Sequence, residues 1–133
     1  MLSEKDTIVA CSSPPGRGAI SLIRMSGDKA LSIIQKITKN KLEEQVSVVK
    51  FPLNADLIEK CVLTIFKAPN SYTGEDIVET STHGNPYIVE EVIKKCLDFG
   101  AKIAKPGEFT LRAFLNNKLS LDQSEAVIEI INA

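Results

Sequence analysis

His83 is the single histidine of the chain, and Glu79 precedes it by four residues. Two such groups could form a general acid–base pair if they met. The segment 76–82 (DIVETST) is short and β-prone, however, and reads as a strand. On an extended strand, side chains four apart share a face but stand about 13 Å from each other, at roughly 3.3 Å per residue. Glu79 and His83 are therefore not expected to pair. A metal would need further ligands that the site lacks, so no metal site is expected and His83 reads as structural.

Glu79 is the more informative residue. It follows Ile77 and Val78 in a semi-buried strand, where a carboxylate is costly unless paired or turned toward a polar ligand. Two readings stand: a salt bridge or solvated face, or a carboxylate that accepts two parallel N–H bonds from the edge of a heterocycle such as a pterin. Arg24 is the mirror case, a cation inside the apolar segment 19–25 (AISLIRM).

Gly16-Arg17-Gly18 suggests a phosphate loop, but no G-x-x-x-x-G-K-[ST] string occurs. The third dinucleotide-fingerprint position is Ser21, and the loop leads into a strand, so no helix N-terminus is presented to a phosphate. Segment 14–18 is either a tight connection or a binding loop that uses Arg17. Cys11, Cys61 and Cys96 are odd in number and widely spaced, without a C-x-x-C pair. They are expected to be reduced and packed. No residue is assigned a catalytic role.

The elements that must position these groups follow from periodicity and punctuation. Strands are expected at 7–11, 19–25, 46–51, 60–66 and 76–82, with a short one at 101–104. The run 60–66 (KCVLTIF) is nearly all apolar, as in a strand buried on both faces. Ser26 is expected to cap a helix over 28–39, whose Ala30, Leu31, Ile34 and Ile37 share a face. Asn85 and Pro86 open a second helix that Gly100 closes. A helical stretch covers 108–116, and Ser120 with Gln123 forms a capping box for a last helix. The order predicts an α+β domain with a mixed β-sheet packed with helices.

The 133 residues suit one ordinary domain. The 44% hydrophobic and 25% charged residues fit a soluble globular class. A net charge of −1 gives no whole-domain attraction for nucleic acid. The first six residues lack the basic and apolar regions of a signal peptide, and no apolar run approaches a membrane span, so a cytoplasmic location is expected.

Four blocks carry a family resemblance. Residues 106–119 (PGEFTLRAFLNNKL) continue into 120–126 (SLDQSEA); 6–10 with 14–18 give DTIVA and PPGRG; 23–27 give IRMSG; 68–76 give APNSYTGED. Together these resemble the N-terminal region of the MnmE (TrmE) family of tRNA-modification GTPases. The family has Asp where this chain has Ser120, and both residues cap helices.

The resemblance implies a domain over 1–119 similar to the tetrahydrofolate-binding fold of glycine-cleavage aminomethyltransferases. Residues 120–133 would then start a truncated helical domain. It implies homodimerisation through this domain and binding of 5-formyl- or 5,10-methylene-tetrahydrofolate. The family's folate contacts map to Arg24, Glu79 and Lys118; Lys118 comes from the resemblance alone. Family members continue into a GTPase domain that uses GTP, Mg and K. With the flavoprotein MnmG they add an aminomethyl-type group to carbon 5 of the wobble uridine of certain tRNAs. This chain has no P-loop and is expected to bind and dimerise without activity of its own. A stand-alone folate-dependent one-carbon transferase would need an acid or base beside the one-carbon unit. A tRNA-binding module would show salt-dependent tRNA binding.

Overall fold

The computed structural model describes residues 6–13 and 18–132, with side chains through residue 126. Arg17 and the rest of the 14–17 segment lie outside the described residues, as do the first five residues and the side chains of Val127, Ile130 and Ile131 in the last helix. The described residues form six strands: β1 (Ile8–Cys11), β2 (Gly18–Ser26), β3 (Val46–Pro52), β4 (Ile58–Phe66), β5 (Ile77–Gly84) and β6 (Lys102–Ile103). The helices are α1 (Ala30–Thr38), α2 (Pro86–Asp98), α3 (Glu108–Leu115) and α4 (Leu121–Asn132). The strands form one sheet in the order β3-β4-β5-β2-β1-β6. Every pairing is antiparallel except β1 with β6, so the sheet is mixed, as expected.

One face of the sheet carries α1 and α2. Val9, Ile23, Phe51, Leu63 and Val78 meet Ile33, Ile34 and Val92 there, all fully buried. The opposite face is more open. On β4 burial alternates along the strand, with Cys61, Leu63 and Ile65 inside and Ile58 and Val62 exposed. The expectation that 60–66 is buried on both faces is therefore corrected. This is an antiparallel strand with one covered face and one open face, and its outward Val62 and Thr64 imitated a buried run.

Local signals explain most helix ends. Asn85 Oδ1 accepts the Tyr87 N–H at 2.9 Å, with Pro86 at the first helical position. Gly100, at φ +113°, follows the end of α2. Ser120 Oγ accepts the Gln123 N–H at 3.1 Å, and Gln123 Oε1 accepts the Ser120 N–H at 2.9 Å, the reciprocal box foreseen. Ser26 departs from expectation, because it is the last residue of β2 and caps nothing. The entry to α1 is held from another element, with Thr7 Oγ1 accepting the Lys29 N–H at 3.0 Å.

All three cysteines are free, and Cys61 and Cys96 are buried. Burial, the larger cause in both cases, pushes their thiols from 9.0 up to about 12. A thiol whose folded pKa is raised stabilises the fold below the unfolded value. That contribution is lost as pH climbs toward the folded one, since only the unfolded chain then releases the proton. Stability in urea titrations is expected to fall between pH 9 and pH 12. Below pH 9, a maleimide should label half-buried Cys11 in the folded chain and reach Cys61 and Cys96 only after unfolding. Equal labelling of all three in the folded chain, read by mass spectrometry, would contradict this.

Candidate functional site

The register of β2 against β5 places Arg24 directly opposite Glu79. Arg24 donates from Nε and Nη2 to a single oxygen, Glu79 Oε2, at 2.9 and 2.8 Å. Among the described residues no hydrogen bond reaches the other oxygen, Oε1. The two side chains retain 23% and 16% of their exposure, so the pair is shielded without being sealed. The guanidinium carbon lies 5.4 Å from the Tyr72 ring centre and 5.7 Å from that of Phe109, within cation–π range of both. Tyr72 belongs to the loop between β4 and β5, and Phe109 to α3. The Tyr72 hydroxyl and Thr110 Oγ1 lie 3.0 Å apart and tie these two walls together.

Arg24, Tyr72 and Phe109 line an open cleft of about 490 Å³, bordered also by Cys11 and by the corner that carries Lys105 and Pro106. That volume is within the range of small-molecule sites, roughly 300–1,000 Å³. Among the described residues the lining contains two cations, Arg24 and Lys105, and no carboxylate. The groups offer recognition of a flat ligand: aromatic faces for stacking, a positioned guanidinium and peripheral hydroxyls.

Of the residues singled out from sequence, Arg24 lines this cleft. Glu79 is not among the described lining residues, but it is paired with Arg24, which is. Lys118 is exposed in the turn after α3, its N–H bonded to the Ala113 carbonyl at 2.7 Å. Its aliphatic chain runs beside Gly74, where an added Cβ would lie 3.6 Å from Lys118 Cε. The fold thus brings Arg24 and Glu79 together and sets Lys118 on the far end of the Tyr72 loop, outside the cleft lining.

Sequence reasoning missed the buried centre that holds the cleft walls. Arg112 on α3 is only 2% exposed. Its Nη1 donates to both oxygens of Glu75 at 3.1 Å, and its Nη2 to Glu108 Oε2 at 3.2 Å. Glu75 Oε1 also accepts from Ser26 Oγ at 2.8 Å, and Ser26 Oγ lies 2.8 Å from Thr73 Oγ1. Glu108 Oε1 accepts the Lys105 N–H at 2.9 Å. One guanidinium therefore fastens the Tyr72 loop, the end of β2, the Lys105 corner and α3. Ser26 serves this network, which is why it is unavailable to α1. The sequence signal was an arginine on the apolar side of a short helix, flanked by glutamates at 75 and 108.

His83 does have a carboxylate partner, although not Glu79. Glu59 of β4 accepts the His83 main-chain N–H at 3.1 Å, and its Oε2 lies 2.7 Å from His83 Nδ1. Glu59 is buried while the imidazole is largely exposed. The pair closes the end of the β4–β5 ladder, in keeping with a structural role.

A family model described as the N-terminus of the GTP-binding protein TrmE matches residues 7–118. The chain belongs to the TrmE N-terminal family. TrmE relatives align along nearly its whole length. The tRNA modification GTPase MnmE of Francisella philomiragia subsp. philomiragia is 51% identical over 130 residues, covering 97% of this chain and 29% of that protein. The MnmE proteins of Francisella tularensis subsp. holarctica and subsp. novicida are 53% and 52% identical over the same shares. The chain thus spans less than a third of the length of these TrmE relatives. The matched region contains the cleft, both its aromatic walls and the Arg112 centre. Among the described residues no helix is long and apolar enough to cross a membrane.

Proposed function

We propose that this domain binds a one-carbon tetrahydrofolate, 5-formyl- or 5,10-methylene-tetrahydrofolate, in the Arg24 cleft and pairs with a second copy of itself. The observation that carries the reading is the seat of Arg24. Its guanidinium is flanked by two aromatic rings and anchored on one oxygen of Glu79, in a cleft whose charged lining is cationic. That donor set fits the ligand class. A folate offers a flat heterocycle for the rings, an amino edge for the second Glu79 oxygen, and anionic carboxylates for the cations. Lys118 supplies a further cation beyond the Tyr72 loop. When bound, the folate carries a one-carbon unit available for transfer.

Dimerisation is supported by the open sheet face. Val48 and Val62 are paired across β3 and β4, with Val46 and Ile58 nearby, and all four are exposed. A group of outward aliphatic side chains on an edge hairpin suits burial against an identical surface. In the whole protein the domain would serve a GTPase, using GTP, Mg and K, that works with the flavoprotein MnmG on the wobble uridine of certain tRNAs in the cytoplasm.

Calorimetric titration with 5-formyl-tetrahydrofolate, on a sample whose mass is set by light scattering, tests the reading. It expects saturable binding by a dimer. At a free ligand concentration one hundred times Kd, unfolding should cost about 2.7 kcal/mol more than in the apo protein. A monomer without detectable heat would refute it.

A further inference from the structure

We infer that Lys105 reads the anionic tail of the cleft's ligand and sets preference for the number of carboxylates on that tail. The inference rests on the folate reading above and goes beyond it to a residue that neither the sequence motifs nor the family resemblance singled out.

Lys105 lies in the segment between β6 and α3 and is one of the two cations in the cleft lining. The other, Arg24, is already committed to Glu79 at 2.8 Å and to two aromatic rings. Lys105 is exposed and makes no ion pair among the described residues. Its backbone is fixed: the N–H is held by Glu108 Oε1 at 2.9 Å, and its carbonyl accepts the Glu108 N–H at 2.9 Å. Glu108 is fixed in turn by Arg112. A mobile ammonium on a rigid base at the edge of a cleft suits acceptors of variable position, whereas the planar Arg24 suits one fixed edge. Glu79 balances the charge of Arg24, so the Lys105 ammonium is the cation of the described lining left without a counter-charge. That uncompensated ammonium favours an anionic group at the Lys105 end. A folate tail ends in glutamate carboxylates, and each added glutamate brings one more.

The test compares mono- and triglutamyl 5-formyl-tetrahydrofolate binding to the parent protein and to Lys105→Ala, Lys105→Glu and Lys105→Arg, at low and high salt. Lys105 is exposed and its backbone contacts survive substitution, so all variants should melt like the parent. The parent should prefer the triglutamyl ligand. Lys105→Ala should lose about two- to fivefold in triglutamyl affinity, within the range of a solvent-exposed ion pair. Lys105→Glu should lose more and Lys105→Arg should be restored, with the differences shrinking at high salt. If the parent binds folate and Lys105→Ala and Lys105→Glu match it for both ligands, Lys105 does not read the tail and the inference alone falls. If the parent binds neither ligand, the folate reading falls and takes the inference with it.

Discussion

Arg112→Ala is expected to destabilise the domain by about 3–5 kcal/mol, the range for removing one partner of a buried charge cluster. Arg112 is 2% exposed, Glu108 6%, and the Glu75 side chain 12%. Without the guanidinium, two carboxylates would remain in a poorly hydrated space with only hydroxyl and backbone donors to hold them. The direct contribution of the cluster is smaller than that loss, because its formation also took three charges out of water. Neutralising all three, with Arg112→Met, Glu75→Gln and Glu108→Gln together, should therefore recover much of the stability lost by Arg112→Ala. Urea unfolding measures both. A loss under 1 kcal/mol for the single variant would show that the cluster is better hydrated than its burial indicates. Because the cluster fastens both aromatic walls, the single variant should also loosen the cleft.

The second large effect is expected at Glu79. Glu79→Gln keeps the side-chain shape and an acceptor for Arg24 but removes the charge. If the free Glu79 oxygen accepts N–H groups from a heterocycle, the variant should bind 5-formyl-tetrahydrofolate about ten- to hundredfold more weakly, as for loss of a hydrogen bond to a charged group. Its effect on stability should stay within about 1 kcal/mol, because the Arg24–Glu79 pair is partly open to solvent. Calorimetry and thermal melts separate the two. An unchanged affinity would mean that Glu79 only orients Arg24, and an equal loss of affinity and stability would mean that the fold had moved.

The signals legible in the sequence were the local ones. Asn85-Pro86, Gly100 and the Ser120–Gln123 box announce helix ends through chemistry within three residues. Arg24 and Glu79 stood out because a charge in an apolar strand requires a partner, but their separation of 55 residues hid that they partner each other. Ser26 shows how a local rule loses to a tertiary one. A serine before an amphipathic segment is a sound cap candidate, yet the Glu75 and Thr73 side chains claim its hydroxyl. β4 misled for a similar reason: an apolar run reports strand propensity and says nothing about whether both faces are covered. Arg112 was hidden because an arginine on a short helix ordinarily reaches solvent, and its burial relies on Glu75 arriving from another segment as well as on Glu108 of its own helix. The cleft itself depends on this meeting of β1, β2, the Tyr72 loop and α3, and no single stretch of chain announces it.

Amide chemical-shift mapping during a titration with 5-formyl-tetrahydrofolate decides whether the Arg24 cleft takes a tetrahydrofolate. Saturating shifts are expected at Arg24, Tyr72, Lys105, Phe109 and Thr110, with little change at the β3–β4 residues Val48 and Val62. Absence of saturable shifts, or shifts centred on β3 and β4 with the cleft residues silent, would contradict that expectation.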